Sequence, residues 1–316
     1  MQAPSSTLRV AAVVVTFDRP KLLKRCIEAL LNQTYPIQEI IVIDNAGSDD
    51  VCKSIEALGD NIKYLKLAHN VGGAGGFYLG LREAFNGEVD AVVLMDDDGH
   101  SDANAVGMLA FHTSVHGTDI VNCLVLDEES PQELAFEMPY ADDIIYDLSA
   151  AQRHSIDGVL DDRVGAFNGT MISRKAFEMV GNVKAECFIW GDETEYVLRA
   201  RRKGLRMTTV VGAHHFHPRA RGELIQLKPF SSVRIPPMQR SHYFYRNLGF
   251  IRFRYMSFPA FLKGGVSYFV TLTAKVGLWE AFKFCLYYID GASDTYALSP
   301  SRRELMEKLP NQGSTK

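Results

Sequence analysis

The chain has 316 residues, 47% of them hydrophobic and 23% charged, with a formal net charge of −4. That length can bury a large core, and the slight acidity gives no electrostatic reason to expect nucleic acid as a partner. Five cysteines, never in CxxC pairs, argue against a disulfide framework and against a zinc-thiolate cluster.

The opening MQAPSSTLRV lacks a charged-then-apolar signal. No apolar run reaches the roughly 18–20 residues that span a bilayer. The expectation is a cytoplasmic protein without a spanning helix.

In chain order, strand-like and helix-like pieces alternate. Residues 10–15 (VAAVVV) are a continuous apolar run, as in a strand buried on both faces of a parallel sheet. Pro20 opens a helical pattern through Leu23, Ile27, Leu30 and Leu31, where its missing N–H would be unpaired anyway. Residues 40–43 predict a second strand, 62–67 a weaker third, 74–85 a helix and 91–95 a fourth strand. Such alternation implies right-handed βαβ crossovers, with ligands bound beyond the carboxyl ends of the strands. Residues 120–180 are harder to parse, but 167–172 read as a strand and 174–180 as a short helix. Glu195 and the residues after it follow helical spacing as far as Gly204, a natural stop. Residues 207–212 predict a strand leading to a histidine cluster. Between 240 and 290 the chain is rich in Tyr, Phe, Arg and Lys and has no acid before Glu280.

Polar clusters stand at three of the predicted strand ends: TFDRP, DNAGSDD and MDDDGH. Asp44 ends a buried strand, where a carboxylate can accept bonds from a nucleobase or ribose. Asp49 reads more simply as a turn or cap residue. Asn70-Val71-Gly72-Gly73-Ala74-Gly75-Gly76 lets backbone approach a ligand closely ahead of a helix N-terminus. It is not a dinucleotide fingerprint, because the first turn, Thr16 to Pro20, holds no glycine. Asp96 and Asp98 can converge on one hard divalent cation, and His214, His215 or His217 could add an imidazole, a mixture that favours Mn²⁺ or Mg²⁺. A solvated acidic turn and a polar histidine loop are the plainer alternatives. Trp190-Gly191-Asp192-Glu193 sets two acids at a helix N-terminus, where they complement the dipole or serve as a general base.

Taken in order, VVVTFDRP, IIVIDNAGSDD, NVGGAGGF, LMDDDGH, FNGTMISR, FIWGDETEYVLR and HHFHP resemble an inverting glycosyltransferase of family 2, over about residues 9–220. The resemblance implies an α/β, GT-A fold: a Rossmann-like, nucleotide-sugar-binding parallel or mixed sheet with a helical C-terminal extension. It divides the chain into a catalytic domain over 1–220 and a helical, basic and aromatic region over 221–316. Within the catalytic domain, about 9–100 would bind the donor and about 101–220 the acceptor. The motifs look most like bacterial galactofuranosyltransferases of cell-wall and O-antigen assembly. Rhamnosyltransferases using dTDP-rhamnose are similar in their opening motifs.

The same resemblance implies roles. Thr16 and Asp44 would hold uracil and ribose, Asn70 and Gly73 the diphosphate or sugar, with Arg19, Asp97 and Trp190 also beside the UDP-sugar. Asp96, Asp98 and His217 would bind Mn²⁺ or Mg²⁺. Glu193 would be the base and Asp192 the acid that orients the acceptor, although the order of the two acids here differs from many relatives and leaves the pair open. The acceptor would be a lipid-linked oligosaccharide. Residues 242–289, where aromatics alternate with Lys and Arg, then read as a bundle packed on the catalytic domain or as a basic surface resting on the cytoplasmic face of a membrane.

Overall fold

The computed structural model describes residues 7–140, 143–219, 223–225 and 233–310. Its first half alternates β1 (Val10–Thr16), α1 (Pro20–Leu31), β2 (Ile37–Asp44), α2 (Asp49–Ile55), β3 (Ile62–Lys66), α3 (Gly72–Asn86) and β4 (Ala91–Asp96). Next come β5 (His100–Ser101), α4 (Ala105–Val115), β6 (Ile120–Asp127), β7 (Glu133–Tyr140), β8 (Asp143–Asp147), α5 (Leu148–His154) and β9 (Val159–Asp161). Then follow β10 (Thr170–Ser173), α6 (Arg174–Val180), α7 (Asp192–Arg202), β11 (Met207–His217), β12 (Glu223–Ile225) and β13 (Val233–Ile235). The chain closes with α8 (Ser241–Tyr255), α9 (Phe258–Lys275), α10 (Leu278–Ala292) and α11 (Arg302–Met306).

The main sheet runs β3-β2-β1-β4-β10-β6-β11-β5, with β7, β8 and β9 attached at its flank. The first four strands are parallel, as the βαβ alternation predicts. β10 is antiparallel to both β4 and β6, so the sheet is mixed. Every residue of β1 is buried, and its alternation divides the core. Ala11, Val13 and Val15 pack with α3, while Val10, Ala12 and Val14 pack with α1. α3 approaches β1 closely enough that only glycine fits. A Cβ on Gly76 would lie 2.5 Å from Val15, and one on Gly80 2.2 Å from Val13.

Two predicted elements are corrected. The strand expected over 167–172 forms only at Thr170–Ser173, because Asn168 and Gly169 turn the chain, Gly169 at φ 68°. The strand expected to stop at Gly212 continues through the histidines to His217, with an irregularity between Val210 and His214. α7 begins at Asp192, so Asp192 and Glu193 stand at a helix N-terminus as the sequence predicts. Asp49 opens α2 and pairs with Lys66, the plain role the sequence predicts.

The C-terminal helices build their own cluster around Tyr245, Tyr268, Phe284 and Tyr288. α10 packs against both α8 and α9, and α8 also touches α7. Among the described residues no helix is long and apolar enough to cross a membrane.

Candidate active site

The carboxyl ends of β1 and β4 meet a cavity of about 520 Å³, closed on its far side by the loop before α7 and by residues around β13 and α8. Thr16, Arg19, Asn70, Gly73, Asp96, Asp97, Asp98, Trp190, Asp192, Glu193 and His217 all line it. Residues scattered over two hundred positions therefore share one space. Asp44 is the exception. It is fully buried and does not line the cavity. One of its oxygens accepts from Gly47 N at 2.8 Å and the other from the Tyr64 hydroxyl, so its place is the turn after β2.

The three aspartates that end β4 have separate environments. Asp97 is 3% exposed, and its oxygens accept from Thr16 Oγ1 at 2.6 Å and Arg19 Nη1 at 3.1 Å. Burial still pushes its pKa up to about 6. Asp98 goes the other way, down to about 2, because His217 and Arg19 outweigh its burial. Asp96 is pushed up to about 7 by burial and by the charge of Asp98.

Asp96, Asp98 and His217 each offer one donor atom, and these atoms all lie within 4.8 Å of one another. His217 Nδ1 is 2.6 Å from the Pro218 carbonyl and donates its proton there, which turns Nε2 toward Asp98 Oδ1 at 3.0 Å. Apart from that contact, Asp98 Oδ1 is buried with no hydrogen-bond donor. In the neutral ring two acceptors face each other, so a proton or a cation has to lie between them. The raised pKa of His217 is the proton's version of that demand. Metal–oxygen bonds of about 2.1 Å in an octahedron put neighbouring donors about 3 Å apart, a separation that the His217–Asp98 pair has at 3.0 Å. Two carboxylates with one imidazole match Mn²⁺ or Mg²⁺. The other two histidines turn elsewhere. His215 is fully buried against Ser101 Oγ at 2.8 Å, and His214 contacts Asp102 at 3.2 Å.

Opposite this cluster, α7 starts with three acids. Glu195 is committed to Arg199 at 2.8 Å and to the Tyr255 hydroxyl at 2.6 Å. Asp192 and Glu193 are left to the cavity. Asp192 is 5% exposed, and burial, the Glu193 charge and a hydrogen bond with Glu193 hold its carboxyl well above the usual range. Glu193 is less buried and lines the same cavity.

The segment ahead of these acids is bent against its preference. Phe188 sits at φ 61°, ψ −58° with Ile189 N bonded to Cys187 O at 2.7 Å, a strained γ-turn, and Trp190 is at φ 62°. Two elements hold it there. Gly72, at φ 74°, lets α3 abut the Phe188 carbonyl, which accepts from Ala74 N at 3.2 Å. From α8, Asn247 Nδ2 donates to the carbonyls of Cys187, Ile189 and Trp190 at 2.8, 3.1 and 2.8 Å.

Several residues that shape the site carry no sequence signal of their own. Asn168 Oδ1 accepts from Asp96 N at 3.2 Å and lines the cavity. Asn45 ties the turn after β2 to Gly72 O at 3.2 Å. Arg234, Arg240 and Phe244 form the far wall. Asn45 and Asn168 stand inside quoted motifs and could have been weighed with them. The far wall comes from a region marked only by a composition change.

A nucleotide-sized cavity with paired carboxylates, an imidazole and two acids at a helix start is the geometry to set beside known proteins. The family model described as Glycosyl transferase family 2 matches residues 11–179. The chain belongs to glycosyltransferase family 2. It is 32% identical to the galactofuranosyltransferase GlfT1 of Mycobacterium tuberculosis over 288 residues, 87% of this chain and 93% of that one. To GlfT1 of Mycolicibacterium smegmatis it is 30% identical over 253 residues, 77% of this chain and 82% of that one. This glycosyltransferase also shares its GT-A fold with solved structures. GalNAc-T7 with UDP, GalNAc and Mn²⁺ superposes at a TM-score of 0.54 and 15% identity, over 68% of this chain and 44% of that one. TarS of S. aureus gives 0.53 and 12%, over 96% of this chain and 50% of that one.

Proposed function

We propose that this family 2 glycosyltransferase moves galactofuranose from UDP-galactofuranose to a glycan acceptor carried on a lipid, with inversion at the anomeric carbon, during synthesis of bacterial surface polysaccharide. The observation that carries the reading is one cavity in which Asp96, Asp98 and His217 face the acid pair Asp192 and Glu193. The sugar rests on the relatives named galactofuranosyltransferase, which align with most of the chain.

Asp96, Asp98 and His217 would hold Mn²⁺ or Mg²⁺, which would supply positive charge for the departing UDP. The protein's own groups do the rest. Thr16 and Arg19 fix Asp97 and so set the direction of the β4 end. Gly73, where a Cβ would meet nothing within 4 Å, leaves its backbone open to the donor's diphosphate or sugar beside Asn70. Trp190 forms part of the wall for the transferred sugar.

Glu193 is the base. Asp192, buried and holding its proton, cannot accept another, but it can donate to Glu193 and keep that carboxylate aimed at the acceptor. An acceptor hydroxyl gives its proton to Glu193 as its oxygen bonds to the anomeric carbon. The bond from that carbon to the UDP oxygen breaks, and the electron pair leaves with UDP. A lipid-linked acceptor would bring the enzyme to the cytoplasmic face of the membrane as a peripheral protein.

The test is UDP release from UDP-galactofuranose set against dTDP release from dTDP-rhamnose, with a membrane lipid extract as acceptor. Turnover confined to UDP-galactofuranose is expected. Turnover confined to dTDP-rhamnose would replace the sugar in this reading, and release from neither would remove catalysis.

A further inference from the structure

α9 and α10 are apolar on both sides. Their inner faces, through Phe261, Tyr268, Leu272, Phe284 and Tyr288, fill the C-terminal cluster. Their outer faces are apolar as well. On α9, Phe258, Leu262 and Val266 stand at i, i+4 and i+8 and are about half exposed or more. On α10, Leu278, Phe282, Leu286 and Ile289 continue the same kind of stripe, and Trp279 beside them is 83% exposed. The two stripes join where the Phe269 and Phe282 rings meet, 6.1 Å between centroids. A helix apolar all round is ordinarily covered on every side, and an apolar patch of this extent marks a contact surface.

On α9, α10 and the end of α8 the exposed charges have one sign. Arg254, Lys263 and Lys275 are exposed. The two acids of α10 turn inward: Glu280 takes a hydrogen bond from Ser241 at 2.7 Å, and Asp290, 7% exposed, accepts from Ala297 N at 2.7 Å. The outward face of the α9–α10 hairpin thus offers aromatic and aliphatic side chains edged with cations and shows no carboxylate. The inner side of the same cluster includes Ile235 and Phe244, which line the catalytic cavity.

We infer that the outer face of the α9–α10 hairpin is a docking surface for an anionic lipid bilayer, lying in the headgroup region and holding the cavity beside the membrane. The chemistry is that of interfacial amphipathic helices: Trp, Phe and Leu enter the acyl boundary while Lys and Arg meet anionic headgroups. With no helix among the described residues able to span, the contact is peripheral. The inference deepens the lipid-linked reading of the acceptor and rests on it for its purpose, while binding itself is measurable without turnover.

The test uses the full chain with phosphatidylcholine vesicles, with and without phosphatidylglycerol. Co-sedimentation is expected only with the anionic lipid, weakening as salt rises. Trp279 emission should be quenched by lipids brominated along the acyl chain, and Trp279→Phe should remove that quenching while vesicle binding persists. Leu278→Ser with Phe282→Ser, both at exposed positions, should lower partitioning by at least about tenfold. Lys263→Glu with Lys275→Glu should abolish the preference for anionic lipid. The inference is overturned if the wild-type chain stays in the supernatant at low salt, or if neither pair of substitutions changes sedimentation. It is also overturned if the Leu278 and Phe282 pair turns a dimer into monomers in a chain that ignores vesicles, since the face then joins two copies. Transfer to a soluble acceptor without vesicle binding sinks this inference alone, and vesicle binding without UDP release sinks the function alone.

Discussion

Asp192 and Glu193 are adjacent in the chain and differ in what surrounds them. The first is buried, with its carboxyl held well above the usual range by that burial and by Glu193, while the second is less buried on the same cavity wall. Glu193→Gln is expected to lower kcat by roughly two to four orders of magnitude with the donor's KM nearly unchanged, since only proton transfer is lost. Steady-state kinetics on both acids checks the order: a dead Asp192→Asn beside an active Glu193→Gln would reverse it. Behind them, Asn247 holds three carbonyls of a strained segment without touching the cavity. Asn247→Asp turns a carboxylate toward those carbonyls, so kcat should fall by about tenfold to a hundredfold while donor KM moves little. An equal effect on both constants, matched by a fall in melting temperature, would make its role structural only. Sequence spacing identified the acids because they stand together after an aromatic residue and a glycine. It could not reveal Asn247, whose three acceptors lie about sixty positions away.

At the scale of elements, glycine separates packing from access. Gly80→Ala would drive a methyl into Val13, and overpacking of that kind costs about 1–3 kcal/mol, measurable by urea unfolding. Gly73→Ala meets nothing, so stability should hold while donor KM rises if the backbone there approaches the ligand. The start of α8 adds a pH test. His242, against Tyr243 and Tyr287, has its pKa lowered to about 4 by burial and then by Lys283 and Arg246. In the unfolded chain it titrates near its ordinary value, so the native state binds fewer protons between about pH 4 and 6.5. Stability should therefore fall as pH drops through that window, by less than about 1.4 kcal/mol per unit because the ring is partly exposed. His242→Gln should flatten the slope. β1, β2 and β4 were legible because a strand buried on both faces leaves an unbroken apolar run. β6, equally buried, was harder to read because Asn122 and Cys123 interrupt its aliphatics. β10 pairs antiparallel with strands that no local pattern could name.

Over the whole molecule, the order of motifs carried the family and the fold, and the cavity gathers eleven of the twelve residues those motifs singled out. Asp44 fell outside because a strand-end aspartate can equally close its own turn, and here Gly47 and Tyr64 take both oxygens. The wall built by Arg234, Arg240 and Phe244 was illegible because it depends on how the C-terminal helices pack against the sheet. The most direct measurement is transfer from UDP-galactofuranose to a lipid acceptor, with product analysed by NMR, in chelator and after adding Mn²⁺ or Mg²⁺. The account predicts no product in chelator, restored product with the ion, and an anomeric configuration opposite to the donor's. Full turnover in chelator, or a product that retains the donor's configuration, would contradict it.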